Sequence, residues 1–409
     1  MSNFEKPKNL PIGTGGEFVN ERVKETLPAL EVKNTVLWRN PAFKDTMPFK
    51  IERGKQTNLG IFFTPKPEEY PEEKARRPVI MPEGYKGRSG LLGTVIFQDR
   101  DGQLYRDVDI KGIGKFQKPD QESILGAMTG TGNFGVGTTG HIKKTGAQEA
   151  EGLMDYEFAL RDTNYSEKFL KAGIRTHRVI SIAEPEEIID EEGKKITIAQ
   201  AKKLKIISKE MHPVFEIRAL GTKERIAYLQ PNVSLERRKT AYGDAKAMIA
   251  QELGKDPDKF SPEEYLTWFT ETLGRQTAKI RKLKLFHGYI TEHNITLDCR
   301  IVDLDSVQTI HEALADKKEI SRNLGAIMET EQDFYEHDYE YAISSLEQLA
   351  RRLYNLKNGP GPSFVFKYFA LFSTAYEEEL KAKQKPKKER GEVEPSSTKQ
   401  KKAQEKKAA

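Results

Sequence analysis

An α+β fold in two lobes is what the sequence predicts, a β-rich first half followed by a helical second half. Three observations point to it. Residues 91–112 hold two β-prone runs, LLGTVIF and QLYRDVDIKG, around the turn DRDG, which reads as a β-hairpin. THRVISIAE and HPVFEIRAL read as strands, with an acidic turn and the helix-like TIAQAKKLKIISKEM between them. Beyond residue 240, AYGDAKAMIAQEL, PEEYLTWFTETLGRQTAKIRKLK, DYEYAISSLEQLARRLYNL and FVFKYFALFSTAYEEEL all carry apolar residues at helical spacing. Strands first and helices afterwards is an α+β order.

Taken along the chain, residues 1–84 are rich in Pro, Gly and charge, with short apolar patches such as TVLW and LGIFF. They are expected to form an N-terminal extension with few regular elements that covers the β-rich lobe. That lobe is expected over 85–235 and includes a glycine-rich insertion, 115–150. GLMDYEFALRDTNYSEKFLKAG, 152–173, has helical spacing and a Gly stop. Residues 236–380 are expected to form the helical lobe. The tail, 381–409, is polar, contains Pro and lacks aromatics, so disorder is expected there.

Composition narrows the functional classes. The chain has 409 residues, 37% of them hydrophobic and 32% charged, and a formal net charge of +5. Residues 381–409 carry eleven Lys and Arg against four Glu, a net of +7, so the whole chain's +5 leaves −2 for residues 1–380. The body is therefore not a basic nucleic-acid binder, and nucleic acid is not an expected partner. The single cysteine, Cys299, excludes an intrachain disulfide and suits a reducing compartment. No apolar run approaches the roughly 20 residues needed to cross a bilayer. A cytoplasmic, monomeric protein without membrane contact is the expectation.

The stretch LFHGYITEHNITLDCRIVDLDS, 285–306, carries most of the chemistry. It reads H-G-x-x-x-x-x-N, a short apolar hairpin, and an Asp nine residues after the Asn. This is the layout of a kinase catalytic loop with its metal-binding Asp, and it makes a protein-kinase-like bilobal fold the expectation. Asn294 and Asp303 offer hard oxygen donors suited to Mg²⁺ or Mn²⁺ bridging nucleotide phosphates; alone, the same stretch could be an ordinary turn with Asn as turn former. The position of the proton-accepting Asp holds Tyr289, whose phenol, with a pKa near ~10, is a poor base. His293 can take that role, since imidazole titrates near pH ~6.5, and His287 is expected to pack.

Lys111, at the end of DVDIKG, can reach phosphates, with Asp162 on the following helix as its expected carboxylate partner. Arg218 and Arg225, seven apart in IRALGTKER, could face one cleft from a hairpin and hold phosphate oxygens. GTGNFGVG, 130–137, matches a phosphate loop in letters, with Lys143 and Lys144 downstream. Too few residues separate it from those lysines for an intervening strand, so it is read as a flexible insertion.

Together these segments resemble the selenoprotein O family, kinase-fold proteins that transfer AMP from ATP to protein hydroxyls. The family's H-G-V-x-N-T-D-N followed by D-Y-G is matched by HGYITEHN followed by DLD at the same distance. Its L-K-G-x-G is matched by IKGIG, and its R-E-F-x-x-S-E-x-x-x-x-x-G-I-x-T-x-R by RDTNYSEKFLKAGIRTHR. Its G-D-G before that acid corresponds to EGL, and its early G-D-G-R-A-x-L-L-G-E to YKGRSGLLGT. The likeness covers roughly residues 85–310. Asp162 stands where the family has Glu, His293 where it has its proton-accepting Asp, and the family's C-terminal selenocysteine or cysteine is missing because Cys299 is internal.

The resemblance implies ATP with Mg²⁺ or Mn²⁺ as cofactors, held by Asn294 and Asp303. It implies that Lys111 binds phosphates, oriented by Asp162, and that Gly87, Arg88, Glu151, Gly152, Arg218 and Arg225 line the nucleotide pocket. It also implies an ATP lying flipped, so that its α-phosphate meets a Ser, Thr or Tyr hydroxyl of a protein substrate. Losing a general base costs only about 10²–10⁴ in rate, because such transfer depends mainly on positioning and charge neutralisation. The alternatives from sequence are a kinase-fold phosphotransferase and a non-catalytic, nucleotide-binding pseudokinase.

Overall fold

The computed structural model describes residues 26–43, 46–47, 50–63, 76–80, 87–116, 134–135, 137–142, 148–190, 193–356 and 364–382. Strands β1 (Thr26–Glu31), β2 (Asn34–Arg39), β3 (Ile61–Phe63) and β4 (Arg76–Ile80) precede the long hairpin of β5 (Gly87–Gln98) and β6 (Leu104–Phe116). Short strands β7 (Phe134–Gly135), β8 (Gly137–Ile142), β9 (Gln148–Glu151) and β10 (Met154–Asp155) lead into helix α1 (Tyr156–Lys171). Strands β11 (Arg178–Pro185), β12 (Glu187–Ile189) and β13 (Lys195–Thr197), helix α2 (Ile198–Lys203) and strand β14 (Pro213–Leu220) complete the β-rich lobe. Helices α3 (Leu235–Glu252) and α4 (Pro262–Lys282) follow, then strands β15 (Leu285–Phe286) and β16 (Gln308–Thr309) flanking the loop 287–307. Helices α5 (Ile310–Ala315), α6 (Lys317–Leu324), α7 (Glu331–Asn355) and α8 (Phe364–Lys381) close the helical lobe. The expected α+β, two-lobed arrangement is the one observed.

The central sheet runs β2-β11-β14-β6-β5-β4-β1-β3, with antiparallel neighbours throughout. The β5–β6 hairpin forms because Asp99 Oδ1 accepts from the N–H groups of Asp101 and Gln103, while Gly102 takes the left-handed φ of 83°. Period-two alternation then divides β6: Val108 and Ile110 join the apolar core, while Asp109 and Lys111 face the other side. β14 repeats the pattern, Phe215 and Ile217 inward, Glu216 and Arg218 opposite.

Two expectations need correcting here. The N-terminal extension was expected to hold few regular elements, yet its TVLW and LGIFF patches are β2 and β3, the outermost strands of the main sheet. Its Pro content misled: Pro28 and Pro78 face one another between β1 and β4, near the sheet edge where a missing N–H is tolerated. Second, only Ile198–Lys203 of the helix-like TIAQAKKLKIISKEM is helical. Of the glycine-rich GTGNFGVG, residues 130–133 and 136 lie outside the described residues, as do Lys143, Lys144 and the tail beyond 382.

The helical lobe packs around a separate core of Phe169, Tyr265, Phe269, Leu273, Leu346 and their neighbours. Its long helices start where caps permit. Ser261 and Glu264 make a capping box before Pro262, and Thr330 and Asp333 make another at α7. Among the described residues, no helix is long and apolar enough to cross a membrane.

Candidate functional site

The loop after β15 is anchored from below. Asp338 on α7 accepts from the backbone N–H of His287 through Oδ2 and of Gly288 through Oδ1, both at 2.9 Å. Burial pushes the Asp338 carboxyl up to about 7 against these two hydrogen bonds. His287 is buried as expected, its Nε2 3.1 Å from the carbonyl of Val302. Arg352, also on α7, donates to Glu292 and to the carbonyl of Ile226, bracing the outer half of the loop.

The hairpin expected between Asn294 and Asp303 forms. Ile295 bridges Ile301, and Val302 N donates to the carbonyl of Asn294 at 2.9 Å. Asn294 Nδ2 donates to the carbonyl of Tyr289 at 3.0 Å, which commits the amide nitrogen and leaves Oδ1 as the accepting atom of a buried side chain. Asp303 sits in the left-handed region at φ 68°, a conformation that Asp tolerates better than most residues. Its side chain is 38% exposed.

Lys111 closes the site from the other lobe. Its Nζ donates to Asp303 Oδ1 at 2.8 Å and to Asp305 Oδ2 at 3.2 Å. A strand lysine thus meets the acid nine residues beyond the loop asparagine, between a β-rich lobe and a helical one. The fold is protein-kinase-like.

No protein-family model matches the chain. No curated protein matches it either. Similar solved structures include the kinase domain of a Toxoplasma gondii specific rhoptry antigen, 9% identical, with a TM-score of 0.32 over 73% of each chain. Another is ROP2 from Toxoplasma gondii, described as a virulence factor with a protein-kinase fold and no enzymatic activity. It is 10% identical over 74% of each chain, with a TM-score of 0.30.

The other expected site residues are placed less simply. Lys111 lies inside β6, five residues before its end, rather than terminating it. Its partner is not the expected Asp162. Asp162 Oδ1 accepts from Leu304 N at 3.1 Å and lies 3.0 Å from His177 Nε2. Asp162 therefore holds the turn after Asp303, while Lys111 acts on it through charge. Burial pushes its carboxyl up, but His177, Lys111 and Arg218 outweigh that and hold it well below the ordinary range.

Arg218 and Arg225 do not share a hairpin: Arg218 lies on β14 and Arg225 beyond its end. Arg218 is buried on β14 and makes a bidentate pair with Asp109, Nε to Oδ1 at 2.9 Å and Nη2 to Oδ2 at 2.7 Å. Its guanidinium is committed to Asp109, its register partner on β6. Arg225 follows β14 and belongs to the loop: its Nη1 donates to the carbonyl of His293 at 2.5 Å and approaches Asn294 Oδ1 at 3.4 Å. His293 itself lies on the exposed side of the loop, and local desolvation keeps its pKa below the ordinary imidazole value. Tyr289 is 42% exposed, and partial burial raises its pKa, which makes it a poorer base still.

Gly152, at φ 88°, accepts at its carbonyl from Gly114 N at 3.0 Å, which brings it beside β6 three residues past Lys111. Gly87 pairs with Phe116 at the far end of the hairpin. The side chains of Arg88 and Glu151 lie outside the described residues.

Sequence reasoning missed several groups around Lys111. Glu216 stands opposite it in register on β14, fully buried. Burial and then the neighbouring Asp162 push the Glu216 carboxyl well above the ordinary range. Lys223 donates to Asp109 at 2.6 Å and to Ser89 at 2.9 Å. A signal existed: DVDIK and FEIR place charges at alternate positions of otherwise apolar strands, the pattern of a buried polar face. Asp305 was in plain view in DLD. Asp338 carried no signal, being one acid among several on α7.

Among the described residues, no group of three or more His, Cys, Asp or Glu is arranged to hold a metal. A magnesium site needs less protein than that, one or two carboxylates with phosphates and water completing it. The Asn294 amide oxygen and the partly exposed Asp303 carboxylate are oxygen donors of that kind.

Proposed function

We propose that the chain binds a nucleoside triphosphate with Mg²⁺ or Mn²⁺ at Lys111, Asn294 and Asp303, and transfers AMP from ATP to hydroxyls of protein substrates. The observation that carries the binding reading is the 2.8 Å contact between Lys111 and Asp303, which links residues 192 apart across the two lobes. The choice of AMP transfer rests on the resemblance to the selenoprotein O family.

In this reading Lys111 neutralises phosphate charge from the β-rich lobe, while Asn294 and Asp303 orient the metal-bound triphosphate from the helical one. Asn294 and Asp303 are the residues that would hold a divalent cation, which would supply electrostatic stabilisation of charge on the phosphates. The acceptor oxygen bonds to the α-phosphorus, the bond from that phosphorus to pyrophosphate breaks, and the hydroxyl proton passes to His293. Local desolvation lowers the His293 pKa, which favours the neutral imidazole, the form able to accept a proton.

Incubation with α-labelled and γ-labelled ATP plus Mg²⁺ or Mn²⁺ tests the reaction. Label in protein from the α-position alone is the expected result; label from the γ-position alone makes the chain a phosphotransferase. A second reading, nucleotide binding without turnover, is favoured by the engagement of Arg218 with Asp109 inside the sheet. Thermal stabilisation by ATP and metal without label transfer, in wild type and His293→Ala alike, would establish that one.

A further inference from the structure

Among the described residues two carboxylates hydrogen-bond Lys111, Asp303 and Asp305, and Asp303 alone of this pair belongs to the proposed metal site. Its side chain is 5% exposed, that of Asp305 10% and that of Asp303 38%. Asp303, the more open of the two, is the one that can turn outward to a cation. Asp305 meets Lys111 in nearly dry surroundings, where solvent screens the pair least.

The turn that carries Asp305 is fixed on every side. Leu304 N donates to Asp162, Val307 N donates to the carbonyl of Leu304, and Ser306 Oγ donates to the carbonyls of His287 and Asp303. On α1, Arg161 Nε donates to the carbonyl of Val307 at 2.9 Å. Asp305 therefore cannot leave with its backbone; its side chain has to be displaced from the lysine.

Resting on the nucleotide reading above, we propose that Asp305 is a built-in competitor, a carboxylate standing at the lysine where a phosphate oxygen would bind. Nucleotide then binds only by displacing it, and the site is self-restrained. The device sets affinity for polyphosphate through Lys111 and leaves the metal donors Asn294 and Asp303 untouched.

The test is calorimetric titration of the full chain and of Asp305→Asn and Asp305→Ser, each shown to be folded by a cooperative thermal transition. The probes are inorganic tripolyphosphate in EDTA and ATP with excess Mg²⁺. Both variants are expected to bind metal-free tripolyphosphate roughly tenfold more tightly than the unmodified chain, the scale of one lost charged hydrogen bond. The gain is expected to vanish when Lys111→Met is added. Unchanged tripolyphosphate affinity in the variants, with ATP–Mg²⁺ still binding the wild type, overturns the competitor and leaves the nucleotide reading standing. Weaker ATP–Mg²⁺ binding with no gain for tripolyphosphate makes Asp305 a metal ligand, which also overturns it. Absence of binding by every protein to either probe overturns both readings.

Discussion

At the scale of single residues, the deepest electrostatic commitment is Asp109. Both its oxygens meet Arg218, Lys223 joins at 2.6 Å, and all three groups are buried. Burial pushes the Asp109 carboxyl up, but the two cations outweigh it and hold it far below the ordinary range. Asp109→Asn leaves two buried cations without their counter-charge and is expected to cost about 3–5 kcal/mol, read by urea unfolding at pH 7. The folded state binds this proton less tightly than the unfolded one. The contribution is therefore complete above the unfolded value near ~4 and lost as pH falls through the lower folded value. The gap between wild type and Asp109→Asn should accordingly narrow in acid; a gap constant down to pH ~2 would contradict the assignment.

The same residues show what sequence could and could not convey. Lys111, Asn294 and Asp303 were legible because spacing along a strand and around a short hairpin nearly determines where a backbone goes. Partner choice was not legible. Whether Asp162 turns toward Lys111 or toward Leu304 N depends on the rotation of α1 about its axis, which its apolar spacing constrains only coarsely. Arg218 looked like a phosphate ligand because nothing in its own neighbourhood reveals that Asp109, on another strand, stands beside it in register.

At the scale of elements, α7 is the platform on which the loop after β15 rests. Its Asp338 spends both oxygens on the N–H groups of His287 and Gly288. Asp338→Asn keeps the shape but points an NH₂ at one of these donors, so one buried backbone N–H loses its acceptor. The loss is expected to be about 1–3 kcal/mol and local. Amide exchange at 287–288 should rise by roughly 10–100-fold while exchange in α4 stays unchanged. Equal exchange in the two proteins would remove α7 as the support of the loop. The helices themselves were readable from apolar spacing and from Ser261 and Thr330 as caps; the bond from Asp338 joins elements 50 residues apart and leaves no local trace.

At the scale of the whole molecule, the N-terminal strands are part of the β-rich lobe and not a covering added to it. Leu30, Val36, Phe43, Ile61 and Phe62 are fully buried in the same core as Val108 and Ile110. At about 1.5–3 kcal/mol for each such side chain, their sum matches the roughly 5–15 kcal/mol by which a domain is stable at all. Asn40 extends the consequence to the site. Its Nδ2 donates to Glu167 at 2.8 Å and to the carbonyl of Val179 at 2.9 Å, tying the end of β2 to α1, the helix whose Asp162 holds Leu304. A chain shortened to begin at residue 81 would also bare the edges of β11 and β5, two open ladders prone to pair with other chains. It is expected to aggregate, or to melt without a cooperative transition. Asn40→Ala, milder, is expected to stay folded and to loosen α1, with faster amide exchange across 160–167. A shortened chain that is soluble, unfolds cooperatively and responds to ATP and metal like the full one would show that the strands contribute neither to the core nor to the placement of α1.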